Sequence, residues 1–83
     1  MNENKVTVED VFECVERALE LQPKSINIAS IKAELPEWDS FGHLGILVAL
    51  DLKFNGKVAS IDDMASADTV EKIINLLKVN KLI

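Results

Sequence analysis

The fold of this chain is decided by its central stretch, Asp39-Ser-Phe-Gly-His-Leu-Gly-Ile-Leu-Val-Ala-Leu-Asp-Leu-Lys-Phe-Asn-Gly56. Apolar residues dominate its interior, and aspartate or serine commonly begins a helix because the side chain accepts a hydrogen bond from the first turn. Asn55-Gly56 supplies the left-handed residue that commonly closes a helix. The stretch therefore predicts a helix from Asp39 or Ser40 to about Phe54.

Helical patterns flank this stretch on both sides. Thr7 is a predicted N-cap for a first helix that ends near Leu21, ahead of Pro23. The last helix opens with Asp68-Thr-Val-Glu71, an arrangement that resembles a capping box. The predicted inward residues are Val8, Val11, Phe12, Val15, Ala18 and Leu19 in the first helix, and Val70, Ile73, Ile74 and Leu77 in the last. The opposite, polar face of the first helix carries Glu13, Glu16, Arg17 and Glu20.

A long connection, residues 22–37, joins the first two helices. It contains three apolar residues that should lie partly against the helices, Ile26, Ile28 and Ile31, and one helical turn can form around 30–34. A brief third element is predicted to end at Met64 after a cap at Ser60 or Asp62. No segment shows sustained strand alternation. The predicted fold is all-α: a bundle of three main helices plus one short helix, with a long loop between helices 1 and 2, in a single domain with its core at about residues 7–79.

Composition restricts the classes of function. The 83 residues carry a net charge of −5, and the nine basic residues form no patch that would neutralise a nucleic-acid backbone. The single cysteine, Cys14, excludes an internal disulfide and reads as a small buried hydrophobe. No metal site is predicted, because one histidine and one cysteine do not make a usual zinc site. With no apparent leader and no long apolar run, the sequence predicts a cytoplasmic monomer without membrane insertion.

Ser40 is the residue most capable of carrying chemistry. At a helix start, unpaired backbone N–H groups and the positive end of the helix dipole favour a phosphate ester. Serine is also a common N-cap, so this position alone does not identify a function. A hydrolase pair of Ser40 with His43 is disfavoured, because side chains three apart on one helix seldom reach the needed geometry.

The order of helices, the long loop and the tripeptide Asp39-Ser40-Phe41 resemble the acyl carrier protein family, whose modified serine lies in an Asp-Ser-Leu or similar tripeptide at the start of helix two. The resemblance covers about residues 7–79 and extends through two further segments, Ala49–Phe54 and Thr69–Ile74. It implies an acyl-carrier-like bundle whose function is that of a carrier and not of an enzyme.

The resemblance implies that a phosphopantetheinyl transferase attaches 4′-phosphopantetheine from coenzyme A to Ser40, with Asp39 assisting. Acyl intermediates would then travel as thioesters between acyl-transferring or synthase enzymes of fatty acid, polyketide or specialised lipid and secondary-metabolite biosynthesis. An aminoacyl or peptidyl carrier within the same fold stays open. The alternative from a different class is a helical interaction adaptor in which Ser40 is only a cap.

The resemblance also assigns the faces of the second helix. It implies an acyl pocket lined by Leu47, Leu50, Phe54, Val58, Ile61, Met64 and Val70, although these residues also suit a plain aliphatic core. A second face carries the apolar stripe, which we define as Phe41, Leu44, Val48 and Leu52. This stripe, with Asp51 as its main acid, would dock partner enzymes or, alternatively, pack under the long loop.

Two departures from fatty-acid carriers point to a specialised stand-alone member of the family. Gly45 and Leu52 stand where those carriers have acids, which predicts docking that is more apolar and less sensitive to salt. The segment Trp38-Asp39-Ser40, followed by His43, also differs from the run that precedes the serine in those carriers.

Overall fold

A computed structural model describes residues 6–83, and in this range the chain forms three α-helices: α1 (Val8–Ala18), α2 (Ser40–Lys53) and α3 (Val70–Val79). Two short 3-10 helices, Lys32–Glu34 and Asp62–Ser66, lie in the connections. The described residues contain no strand beyond an isolated antiparallel bridge between Ile31 and Thr69. The predicted all-α fold is confirmed.

Helix α1 begins with a complete capping box. The hydroxyl of Thr7 accepts the N–H of Asp10 at 3.2 Å, and the Asp10 carboxylate accepts the N–H of Thr7 at 2.9 Å. The second of these bonds stabilises the charged carboxylate and holds the pKa of Asp10 below its ordinary value. The helix ends at Ala18 and not near Leu21, because the backbone reverses at Glu20, whose φ is 58°.

Helix α2 has the bounds that the sequence predicts. The Asp39 side chain caps it by accepting the N–H of Gly42 at 2.8 Å. At the other end, Asn55 and Gly56 have φ values of 59° and 81°, and the N–H of Gly56 bonds the carbonyl of Asp51 at 2.7 Å. This pair of left-handed residues closes the helix as expected.

The predicted capping box at α3 is wrong. Thr69 is extended where it pairs with Ile31, so the helix begins at Val70, and the Thr69 hydroxyl accepts the N–H of Lys72 at 3.0 Å. Asp68 therefore lies outside the helix, where its carboxylate accepts a hydrogen bond from the Lys72 ammonium at 2.8 Å. That bond lowers the pKa of Asp68.

The second 3-10 helix also differs from its prediction. It follows Ile61, has no side-chain cap from Ser60 or Asp62, and runs through Met64 to Ser66. A 3-10 turn closes hydrogen bonds between closer neighbours, so backbone groups satisfy this short segment without a capping side chain.

The core lies between the three helices and beneath the long loop. All four predicted inward residues of α3 are buried, and so are Val11, Val15 and Leu19 of the first-helix set. The other three of that set, Val8, Phe12 and Ala18, are partly buried against the core. Helix α2 contributes Ile46, Leu50 and the residue after its end, Phe54. The loop buries Ile26, whereas Ile28 stays about half exposed. Two backbone hydrogen bonds then attach the loop to α3, from Lys32 to Asp68 at 2.9 Å and from Val70 to Ser30 at 3.0 Å.

Glu16 is the main correction to the predicted polar face of α1. It is 6% exposed, and its Oε2 accepts the N–H of Ile26 at 3.1 Å. The first turns of the loop cross that side of the helix and cover it. A helical pattern read from α1 alone does not contain this crossing.

Candidate functional site

Ser40 is the first residue of α2 and is exposed. The N-cap is Asp39, whose side chain and carbonyl accept the N–H groups of Gly42 and His43 at 2.8 Å each. The reading in which Ser40 serves as the helix cap is therefore wrong. Ser40 is instead the first residue of a 14-residue helix, in the turn whose N–H groups have no intrahelical acceptors.

The segment before Ser40 is packed closely against the first turn of α2. Trp38 is buried, and its backbone N–H bonds the carbonyl of Leu35 at 2.9 Å. A Cβ added to Gly42 would lie 2.3 Å from the Glu37 carbonyl oxygen, a distance that no side chain tolerates. The glycine thus permits the close approach that positions Asp39 and Ser40 at the helix start.

Trp38 and His43 form a buried polar connection beneath the site. The indole Nε1–H donates to His43 Nδ1 at 3.0 Å, and His43 Nε2 lies 2.9 Å from the carbonyl oxygen of Met64. Because indole is only a donor and a carbonyl is only an acceptor, this network assigns the neutral imidazole with its proton on Nε2. His43 therefore ties the Ser40 segment to the second 3-10 helix.

The same hydrogen bonds argue against a catalytic pair of Ser40 with His43. Both His43 nitrogens are engaged by partners other than Ser40, so neither is available to take a proton from its hydroxyl. His43 is buried on the core side of α2, and its bond to Trp38 was not predicted from the sequence. The only signal was that the single tryptophan and the single histidine lie five positions apart.

An open groove of about 380 Å³ runs between α2 and the segment that contains the second 3-10 helix. Four of the seven residues predicted for an acyl pocket line it: Leu47, Val58, Ile61 and Met64. The other three, Leu50, Phe54 and Val70, do not line this groove and are buried in the core. They fail as lining residues because their positions point between the helices and not toward the groove.

The apolar stripe is exposed to solvent. Phe41 is 85% exposed, Leu44 58%, Val48 53% and Leu52 77%. The alternative in which this stripe packs under the long loop is therefore wrong, since the loop crosses α1 and reaches α3 instead. Leu44 and Val48 also form one side of the groove, so the stripe and the groove are continuous.

Two other residues assigned to this face have structural contacts that the sequence did not reveal. The Asp51 Oδ1 accepts the N–H groups of Val58 and Ala59, at 3.1 and 2.9 Å, and so holds the loop after α2. Gly45 faces α1, where an added Cβ would lie 3.7 Å from the Ala18 Cβ. A docking role for Asp51 stays a prediction.

Other side chains were considered as chemical groups. Cys14 is half-buried, and burial raises the pKa of its thiol, which reduces the thiolate fraction. Among residues 6–83, no three His, Cys, Asp or Glu side chains cluster so that they could hold a metal ion. In the same range, none of the helices has the length and apolarity that a membrane crossing requires.

Comparison of the chain with protein-family models, with curated proteins and with solved structures finds no match.

Proposed function

We propose that this protein is an acyl carrier whose Ser40 bears a 4′-phosphopantetheine arm. The observation that carries the proposal is that Asp39 and Ser40 have different roles at the start of α2. Asp39 caps the helix, so the exposed Ser40 is not needed as its cap and stands as the first residue of the first turn. A phosphate ester at the Ser40 oxygen would meet hydrogen-bond donors and the positive end of the helix dipole.

Rigid support of the serine is the second argument. The connection from Trp38 through His43 to Met64 is buried and hydrogen-bonded at both histidine nitrogens. A modifying enzyme would therefore meet Ser40 in one conformation, at a low entropic cost of ordering the segment. Asp39, adjacent in sequence, would assist the modifying complex by helping to orient a hydrated divalent ion.

The groove beside α2 supplies the third argument. Leu47, Ile61 and Met64 give it an apolar lining in a helix-bounded cleft that an acyl chain could enter. In this proposal a transferase moves phosphopantetheine from coenzyme A to Ser40, and the terminal thiol then carries acyl groups between partner enzymes. The cargo could be a fatty acyl, polyketide or specialised-lipid intermediate, or an aminoacyl or peptidyl group.

Intact-mass spectrometry tests this function directly. The protein is incubated with coenzyme A, Mg²⁺ and a broad-specificity phosphopantetheinyl transferase. We expect one added phosphopantetheine group on wild type and none on Ser40→Ala. The matched control is Ser60→Ala, an exposed serine outside any helix start, which should be modified like wild type.

A second function is favoured by one observation, the exposure of the apolar stripe. Four solvent-exposed apolar side chains on one helix face are typical of a surface that binds another protein. A non-catalytic adaptor would use this stripe without any modification of Ser40. Wild-type protein that stays unmodified under the assay conditions, while a known carrier in the same tube is modified, would favour the adaptor.

A further inference from the structure

A second groove, of about 530 Å³, lies between α1 and the first residues of the long loop. None of its lining residues belongs to the groove beside α2. Phe12, Leu21 and Ile26 give it apolar walls. Its volume falls within the range of small-molecule sites in proteins.

The floor of this groove contains a buried carboxylate. Glu16 lines the groove and is 6% exposed. Its Oε2 accepts the N–H of Ile26 at 3.1 Å, and no other hydrogen bond or ion pair to this carboxylate comes from residues 6–83. Because a carboxylate offers about four acceptor positions over two oxygens, most of its capacity to accept hydrogen bonds is unused. Burial of a charge is unfavourable unless a partner compensates it.

We propose that this groove binds an aliphatic primary ammonium ion, with the ammonium at Glu16 and the alkyl chain against Phe12, Leu21 and Ile26. The ammonium supplies the missing donors to the carboxylate, and the apolar walls remove the alkyl chain from water. The site is separate from Ser40 and does not depend on the proposed carrier function.

The geometry favours an ammonium over a guanidinium. A guanidinium binds a carboxylate best with two parallel hydrogen bonds, one to each oxygen. Here Oε2 already accepts the Ile26 N–H, so a guanidinium that bonds both oxygens would have to share Oε2 with that group, whereas a compact, single-point donor can use Oε1 alone. A primary ammonium has this form.

The rim of the groove carries charges of both signs. Arg17 and Lys24 line the groove together with Glu9 and Glu13. These two cations and two carboxylates balance, so the net negative charge of the lining is that of Glu16.

Amide chemical-shift titrations with three six-carbon probes test the proposal: hexylammonium, hexan-1-ol and hexanoate, each at pH 7 and low salt. We expect hexylammonium to bind wild type at least about tenfold more tightly than hexan-1-ol. The shifts should centre on Phe12, Glu16 and Ile26, and hexanoate should bind weakest. Equal affinity for hexylammonium and hexan-1-ol overturns the proposal without the need for any variant.

Two charge-matched variants locate the effect. Glu16→Gln keeps an oxygen that accepts the Ile26 N–H but removes the charge, so it should lose the preference for hexylammonium. Glu13→Gln removes the same charge from the exposed rim and should retain most of that preference. If both variants lose it equally, the attraction comes from the net acidity of the surface and the Glu16 site is rejected. Ser40→Ala should bind hexylammonium like wild type.

Discussion

Three residues other than glycine adopt a left-handed backbone conformation directly after the α-helices. Glu20 follows α1, Asn55 follows α2 and Lys81 follows α3, with φ values of 58°, 59° and 61°. Each reversal is accompanied by a hydrogen bond from the next residue back into the helix, as from Leu21 to the Glu16 carbonyl at 2.8 Å. Only Asn55 is a residue type that enters this region readily, so Glu20 and Lys81 carry unfavourable backbone energy.

Replacement of Glu20 by glycine should therefore stabilise the protein. We expect Glu20→Gly to raise the free energy of unfolding by about 0.5–1 kcal/mol, the cost of a left-handed Cβ less the greater entropy of unfolded glycine. Urea denaturation measures this change. Glu20→Ala removes the same charge but keeps the Cβ, so a similar gain in that variant would show that charge and not backbone strain is responsible.

Alanine substitutions at the two glycines inside α2 should change the free energy of unfolding in opposite directions. A Cβ at Gly42 would overlap the Glu37 carbonyl at 2.3 Å, whereas at Gly45 nothing lies closer than the Ala18 carbonyl oxygen at 3.5 Å. Gly42→Ala should thus lower the free energy of unfolding by about 1–3 kcal/mol, because backbone must shift. Gly45→Ala should raise it by about 0.5–1 kcal/mol through better helix propensity.

Thermal and urea unfolding of both glycine variants would test this pair. If Ser40 is modified as proposed, displacement of the segment at Glu37 should also slow the phosphopantetheinyl transferase on Gly42→Ala, which adds a second measurement. A Gly42→Ala protein as stable as wild type would contradict the close packing in front of Ser40.

At the scale of elements, hydrogen bonds at the helix starts decide where each helix begins. Thr7 was recognisable as a cap because it precedes a helical pattern by one position, whereas the sequence left both Asp39 and Ser40 open as the start of α2. The start of α3 was misread because Asp68, Thr69 and Val70 are all followed by residues compatible with a helix. The bridge between Ile31 and Thr69 determines which of them begins the helix. Ile31 lies in a loop about 40 positions earlier in the chain, so the local sequence does not contain this information.

The capping box of α1 predicts a specific dependence on pH. The Thr7 N–H lowers the pKa of Asp10 in the folded state, so the folded protein binds a proton there less readily than the unfolded chain. This contribution is present above the unfolded value of about 3.9 and is lost as the pH falls through the lower folded value. We expect Asp10→Asn to show a smaller loss of stability below about pH 4 than wild type.

Thr7→Ala tests the two hydrogen bonds of the capping box separately. It deletes the hydroxyl acceptor, at about 1 kcal/mol, but keeps the backbone N–H that bonds Asp10. The variant should be less stable than wild type at every pH. The further loss of stability below about pH 4 that is due to Asp10 should remain. Melting temperatures across a pH series provide the measurement. If Asp10→Asn loses as much stability below about pH 4 as wild type does, the role of the Thr7 N–H is contradicted.

At the scale of the whole molecule, the course of the long loop decides which surfaces are available. It crosses α1 at Glu16, buries Ile26, reaches α3 at Thr69 and returns to α2 through Trp38. The loop therefore covers one side of α1 and leaves the apolar stripe of α2 open.

Exposure of the stripe predicts that Leu52→Glu disturbs binding more than folding. Leu52 is 77% exposed, so its substitution should change the free energy of unfolding by no more than about 0.5 kcal/mol. If the stripe docks partner enzymes, kcat/KM for modification by the transferase should fall about tenfold, because a glutamate replaces apolar contact area.

Val79→Glu is the matched control for this surface. Val79 is 78% exposed but lies on α3, away from the stripe, so its variant should be modified at the wild-type rate. An equal loss in both variants would indicate general repulsion by added negative charge. A large drop in the melting temperature of Leu52→Glu would place this residue in the folded core.

The sequence by itself determined the all-α architecture, the span of α2 with its left-handed end, and the helix-start position of Ser40. These features follow from local spacing, capping chemistry and turn residues, which act over a few neighbouring positions. The tertiary structure alone decided that Asp39 and not Ser40 caps α2, that Glu16 is buried, that Trp38 bonds His43, and that Leu50, Phe54 and Val70 do not line the groove beside α2. The physical reason is that each of these outcomes depends on packing and hydrogen bonding in three dimensions, where small differences in helix rotation and loop course decide which partner a side chain meets.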